Sequence, residues 1–219
     1  MPSRTVTFVA VVLAASVATG VVFAASPSKE QIKLTKAGQA QAKAEIVRRR
    51  DVGTGWRGGA KKPDLSSAFP GCSYHPKQSD LVLNGAAEST WQQQGVEIDS
   101  EAQVLKTAAM VRLDWQRTVV APQVMPCLRQ SLAKSVGATG TMVSFGKVAF
   151  PHLATFARGY QAVVDVKSAL GKVRIVVDLA VFGARRNELT LSVTGLAAAK
   201  ASLRTTELRL ARLLVGRLR

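Results

Sequence analysis

Few residues in this chain stand at spacings that support chemistry. Ser131-Leu132-Ala133-Lys134 has the S-x-x-K spacing of serine acyl hydrolases, where one helical turn brings a lysine amine to a serine nucleophile. The companion signatures S-D-N and K-T-G are absent: Ser79-Asp80-Leu81 and Lys106-Thr107-Ala108 each miss in the third residue. An ordinary solvent-side helical turn is therefore the simpler reading. Gly53-Thr54-Gly55-Trp56-Arg57-Gly58 matches G-x-G-x-x-G. Binding a dinucleotide needs a strand before that motif and a helix after it, so that a helix N-terminus meets the pyrophosphate. Here a helical pattern precedes it and a Pro63 loop follows, which reads as a glycine helix stop and a turn.

Glu97, Asp99 and Glu101 share one face of a strand and offer oxygens of the kind calcium prefers. The plainer reading is the solvated side of that strand, paired with lysines or arginines. His75 and His152 have no ligand spacing and read as surface imidazoles. Two cysteines exclude a four-cysteine zinc site, and two histidines exclude a three-histidine centre. No catalytic residue, metal or cofactor is assigned.

The elements that must position these residues begin after an address. Met1–Arg4 is a short basic start, and residues 5–25 carry no charge and close in small residues. This pattern predicts a secretory signal peptide over residues 1–24, with a single domain over 25–219. The alternative is an uncleaved membrane anchor, for which the run is long enough. Export makes one Cys72–Cys127 bridge the simplest use of the two cysteines, with two free thiols as the alternative.

Lys29–Arg50 is rich in Ala, Gln, Lys and Arg and reads as a helix, followed by a loop over Trp56–Pro76. Ala87–Gln92 and Val96–Leu105 read as strands around a Gln93-Gln94-Gly95 turn. Thr107–Val119 switches to helical spacing, and Val124, Leu128, Leu132 and Val136 recur every four residues in a second helix. Four strands follow: Thr141–Phe150 with a possible bulge at Gly146, Tyr160–Lys167, Val173–Phe182 and Glu188–Thr194. Ala198–Leu218 closes as an amphipathic helix. The order α-β-β-α-α-β-β-β-β-α, with hairpin-length loops, predicts an α+β fold: an antiparallel sheet flanked by helices. Trp56, Trp91 and Trp115 read as core or rim packing.

Thirty Lys and Arg against fourteen Asp and Glu give a net charge of +16. The excess lies at the two ends of the domain: Lys29–Arg50 holds seven basic residues and two acidic, and Lys200–Arg219 six and one. A solvated polar face is the plain reading. The sharper one is attraction to anionic envelope lipid, polymer or acidic protein through Arg48, Arg49, Arg50, Arg204, Arg212 and Arg219. A membrane surface fits that charge. Nucleic acid does too, but export argues against it, so no nucleic acid is expected.

Asp51-Val52-Gly53-Thr54-Gly55-Trp56, Cys72, Ala87-Glu88-Ser89-Thr90-Trp91, the Val104–Trp115 segment and Pro126-Cys127-Leu128 together resemble a family of secreted actinobacterial proteins. These are similar to the extracytoplasmic sensor domains of serine/threonine kinases. The resemblance covers most of the chain after the leader and implies a PsbP/Mog1-like sandwich with a groove proposed for ligands. It implies no catalytic residues. The kinase sensor domains carry more than one bridge, whereas two cysteines make at most one, and no kinase is present here. Three functions are therefore carried forward. The first is an exported, non-enzymatic, sensor-like module that binds a ligand or partner and presents a basic surface. The second is a serine acyl hydrolase using Ser131 and Lys134. The third is a structural envelope protein with no small-molecule ligand.

Overall fold

The computed structural model describes residues 31–65, 72–137, 140–168 and 171–218, so the expected signal peptide lies outside the described residues. Among them, no helix is long and apolar enough to cross a membrane. In chain order the elements are β1 (Gln31–Ile32), α1 (Lys36–Glu45), α2 (Arg49–Val52), β2 (Arg57–Lys61), β3 (Val82–Gln93), β4 (Val96–Leu105), α3 (Ala108–Trp115), α4 (Val124–Val136), β5 (Gly140–Val148), β6 (Phe156–Ser168), β7 (Gly171–Ala184), β8 (Asn187–Leu196) and α5 (Lys200–Val215). A π-helical turn, Gln116–Val120, links α3 to α4, and a 3-10 turn, Ala197–Ala199, precedes α5.

The strands form one sheet in the order β1-β3-β4-β8-β7-β6-β5, with β2 also on the outer edge of β3. Every pairing is antiparallel except β1 with β3. The fold is the α+β antiparallel sheet flanked by helices that the residue pattern predicts. The β3–β4 hairpin turns at Gln94 and Gly95, both with positive φ (47° and 79°), the geometry whose twist suits a two-residue hairpin loop.

Side chains alternate across the sheet, so register assigns each residue to a face. One face carries Trp91, Ile98, Val193, Leu191, Leu189, Ala180 and Phe182, and α1 and α5 pack on it. The other carries Leu179, Val181, Tyr160, Ala162 and Phe145, and packs against Trp115, Val119, Val124, Leu128 and Leu132 of the α3–α4 pair. Thr35 and Thr107 cap α1 and α3, their hydroxyls accepting from the Gly38 and Met110 N–H groups at 3.0 and 3.2 Å. Cys72 and Cys127 form a disulfide with Cα atoms 5.4 Å apart, stapling the chain ahead of β3 to α4.

Four expectations are corrected. The Lys29–Arg50 helix is only α1 and the single turn α2, because Ile46 and Val47 leave the helix to bury their side chains under the sheet. Arg57–Lys61, expected as loop, is β2; its Arg-Gly-Gly-Ala-Lys has no alternation, and its ladder to β3 makes it a strand. The bulge in β5 falls between Met142 and Ser144 rather than at Gly146. The final helix starts at Lys200, after the 3-10 turn.

Candidate functional site

The two basic segments meet. Asp51 is buried, and its carboxylate accepts from the Arg48 backbone N–H (2.7 Å) and from the Arg217 guanidinium (2.5 Å). Arg217 also donates to the Ile46 carbonyl (3.0 Å), and Arg209 to the Asp51 carbonyl (2.9 Å). Burial pushes the Asp51 carboxyl up, but the Arg217 and Arg48 hydrogen bonds outweigh it and hold the group below the usual carboxylate range. Around this carboxylate Arg48 is crowded. Its own burial, then the neighbouring charges of Arg217 and Arg50, lower its pKa. Arg49 donates to the Trp56 carbonyl (2.5 Å) and lies over the Trp91 ring at 5.9 Å. Arg49, Arg50, Arg209 and Arg212 are exposed. One carboxylate thus sits among several guanidiniums, and the end of the domain where α2 meets α5 keeps a positive excess.

The structure divides the six arginines expected to form one surface. Arg48, Arg49 and Arg50 lie at this end. Arg212 shares a helical face with Arg209, three residues away. Arg204 does not belong with them: it pairs with the buried Glu207, donates to the Ala149 carbonyl (2.5 Å) and lies over the Phe150 ring at 5.0 Å. Arg219 lies outside the described residues. Arg209 and Arg217, which the sequence reading did not single out, complete the cluster. The signal for them was their place in the same basic helix, but only packing shows which of its arginines reach Asp51.

The other face of the sheet is divided in two. Its β7–β6–β5 half is apolar and lies under α3 and α4. Its β3–β4–β8 half carries Glu88, Thr90, Glu97, Asp99, Glu101, Gln103, Glu188, Thr190, Ser192 and Thr194, and these three strands contain no lysine or arginine. The Glu97, Asp99, Glu101 row is not the fully solvated side expected of it: Glu101 is 7 % exposed. Lys61 reaches in from β2 to Glu88 (2.8 Å) and Asp99 (3.8 Å), and the Asp64 N–H donates to Glu88 (3.3 Å). Burial pushes the Glu101 carboxyl up to about 8 against the Gln103 hydrogen bond (3.0 Å). Burial likewise raises Asp99 to about 6, opposed by the Thr90 hydrogen bond.

The remaining candidates are scattered. Ser131 is 5 % exposed and faces inward with Leu128 and Leu132, while Lys134 is on the exposed face of α4. Ser131 is thus not on the solvent side expected of it. Gly53 ends α2 at φ 89°, and Gly55 (φ 85°) and Gly58 (φ 128°) turn the chain into β2, as a helix stop and turn require. His75 and His152 are exposed and lie in separate loops. Among the described residues no group of His, Cys, Asp and Glu side chains has the geometry of a metal site.

No family model matches the chain, and no curated protein matches it. Among solved structures it is similar to LpqN, involved in cell envelope biogenesis of Mycobacterium tuberculosis. That likeness has 10% identity over 70% of this chain and 73% of the other, with a TM-score of 0.32. It is also similar to the Saccharomyces cerevisiae Ran-binding protein Mog1p, at 10% identity over 61% of this chain and 75% of the other, with a TM-score of 0.26. Superposition at these scores is partial, and the fold assignment rests on this chain's own strand order.

Proposed function

We propose that this chain is an exported, non-enzymatic binding module that attaches to anionic material of the cell envelope through the basic end formed by Arg48, Arg49, Arg50, Arg209, Arg212 and Arg217. The observation that carries the reading is the convergence of two basic segments, 166 positions apart at Arg217 and Asp51, around one buried carboxylate. Phosphate and carboxylate groups are the chemistry that arginines at such a surface take up. The Cys72–Cys127 bridge supports an oxidising compartment.

The test is cosedimentation of the full chain at low and high salt with three partners: neutral vesicles, vesicles containing phosphatidylglycerol, and purified anionic wall polymer. Binding to an anionic partner at low salt, weakened by salt and by the Arg50→Gln/Arg212→Gln double substitution, supports the reading. Equal binding to neutral vesicles, or no binding at low salt, ends it. A fluorophosphonate is expected to leave the chain unlabelled. Labelling lost in Ser131→Ala would replace this reading with the acyl hydrolase.

A further inference from the structure

Asp114 of α3 and Glu188 of β8 meet carboxyl to carboxyl. Asp114 is 4 % exposed and Glu188 is half-buried. The Glu188 carboxyl donates to the Asp114 carboxylate, which also accepts from the Gln78 side-chain amide at 3.0 Å. Ionised carboxylates only accept hydrogen bonds, so this contact exists only while the pair holds a proton. Asp114, already receiving Gln78, is the anion of the pair, and Glu188 is the acid.

The charged groups around the pair do not replace that proton. Arg117 of the π turn is engaged by Asp80 (2.7 and 3.0 Å) and by the Lys77 carbonyl (2.5 Å), and the Tyr74 hydroxyl donates to the Arg117 carbonyl (2.8 Å). Gln103 of β4 stands opposite Glu188, with Glu101 one pair further along the same ladder. Glu88 of β3 stands opposite Glu101 and is held by Lys61 and the Asp64 N–H. Arg158 of β6 is in register with Val181 of β7, one row along from Glu188 and two strands away. Arg186 turns to Gln41 on the other face, and Arg112 of α3 and Arg185 are exposed. A second negative charge on the pair would therefore add to those of Glu101 and Glu88.

The same helix is built to shift. α3 has only eight residues and runs into the π turn Gln116–Val120, a widened helical ring of the kind found at functional sites. Beyond that turn α4 is fixed by other means: the Cys127–Cys72 bridge and the burial of Leu128 and Leu132. We propose that the Asp114–Glu188 pair is a proton-operated latch, which holds α3 on β8 while the two carboxyl groups share a proton and releases α3 about the π turn when that proton leaves. Burial pushes the Asp114 carboxyl up, against the Glu188 and Gln78 hydrogen bonds. The latched state binds the proton more tightly than the released one, so the latch is complete in acid and is lost as pH rises. It shares no residue with the basic end, so either reading can fail alone.

The experiment is hydrogen exchange of the full chain, followed by mass spectrometry from about pH 5 to about pH 9, with each rate divided by that of an unstructured peptide at the same pH. Protection of residues 108–120 is expected to fall at least about tenfold across this range, the equivalent of one pH unit of linked deprotonation, while residues 124–136 keep theirs. Glu188→Gln supplies an N–H donor to Asp114 at every pH and is expected to keep α3 protected throughout; Asp114→Asn does the same toward Glu188. Circular dichroism confirms that the variants fold, and the unaltered chain decides the question if neither does. Protection of α3 that is the same at both ends of the range overturns the proposal. So does an equal loss in α3 and α4, which would be global opening, or a folded Glu188→Gln protein that loses α3 protection as the unaltered chain does.

Discussion

The Arg217 guanidinium joins the Asp51 carboxylate at 2.5 Å and the Ile46 carbonyl at 3.0 Å, fastening the chain just beyond α5 to the turn before β2. Both partners of the ion pair are largely withdrawn from solvent, with side chains 16% and 3% exposed. Removing one partner strands the other, so Arg217→Ala is expected to cost about 2 kcal/mol or more. Asp51→Asn also leaves crowded arginines without their counter-charge. Urea unfolding of both variants checks this. A change within about 0.5 kcal/mol for each would mean the contact is a surface pair of little weight.

Stability is expected to fall as pH rises from about 5 to about 8. Burial raises Glu45 to about 7, Asp99 to about 6, Glu101 to about 8 and Glu207 to about 7. Each group binds its proton more tightly folded than unfolded. Its contribution is therefore complete below the ordinary carboxylate range and is lost as pH climbs through the raised values. Asp80, held at about 2 by Arg117, and Asp165, lowered by Arg174 and Lys172, work in the opposite sense. Their contribution is complete above the ordinary range and fades in acid, so the maximum lies at about pH 5. Urea midpoints across this range test the slope. Glu207→Gln should flatten it, and midpoints that rise with pH would contradict the account.

Gly38 of α1 and Gly85 of β3 pass backbone against backbone. A Cβ on Gly38 would stand 2.2 Å from the Asn84 carbonyl oxygen, and one on Gly85 2.1 Å from that of Gly38. Neither neighbour is a side chain that can swing away, so Gly38→Ala and Gly85→Ala should each destabilise by about 1–3 kcal/mol. Gly59, with open space where a Cβ would go, is the control: Gly59→Ala should be nearly neutral. Thermal melts of the three variants separate close approach from a general effect of replacing glycine.

The disulfide closes a loop whose ends are 55 positions apart. The chain-entropy model puts its contribution on the order of 4 kcal/mol at the upper end. Reduction under native conditions should lower the melting temperature by several degrees, and the paired Cys72→Ala/Cys127→Ala variant should match the reduced protein. Alkylation without reductant should modify neither cysteine.

Local patterning determined much of this molecule from the sequence by itself. Val96–Leu105 alternates so regularly that the strand has those very ends, and Gln94-Gly95 supplies the positive φ that a tight hairpin needs. The four-residue recurrence of Val124, Leu128, Leu132 and Val136 puts one face of α4 inward. These features come from near neighbours, whose geometry the backbone repeats impose.

Only the tertiary structure decided what lies over each face. Alternation assigns Glu101 to a polar side but says nothing of the layers that bury it. Arg204 and Arg217 look alike in one basic segment of the sequence, yet one is absorbed by Glu207 and Phe150 and the other, just past the end of α5, reaches Asp51. β2 has no pattern of its own and exists because β3 offers it a ladder. Each of these outcomes depends on contact between segments far apart in the chain, and no local period records such contacts.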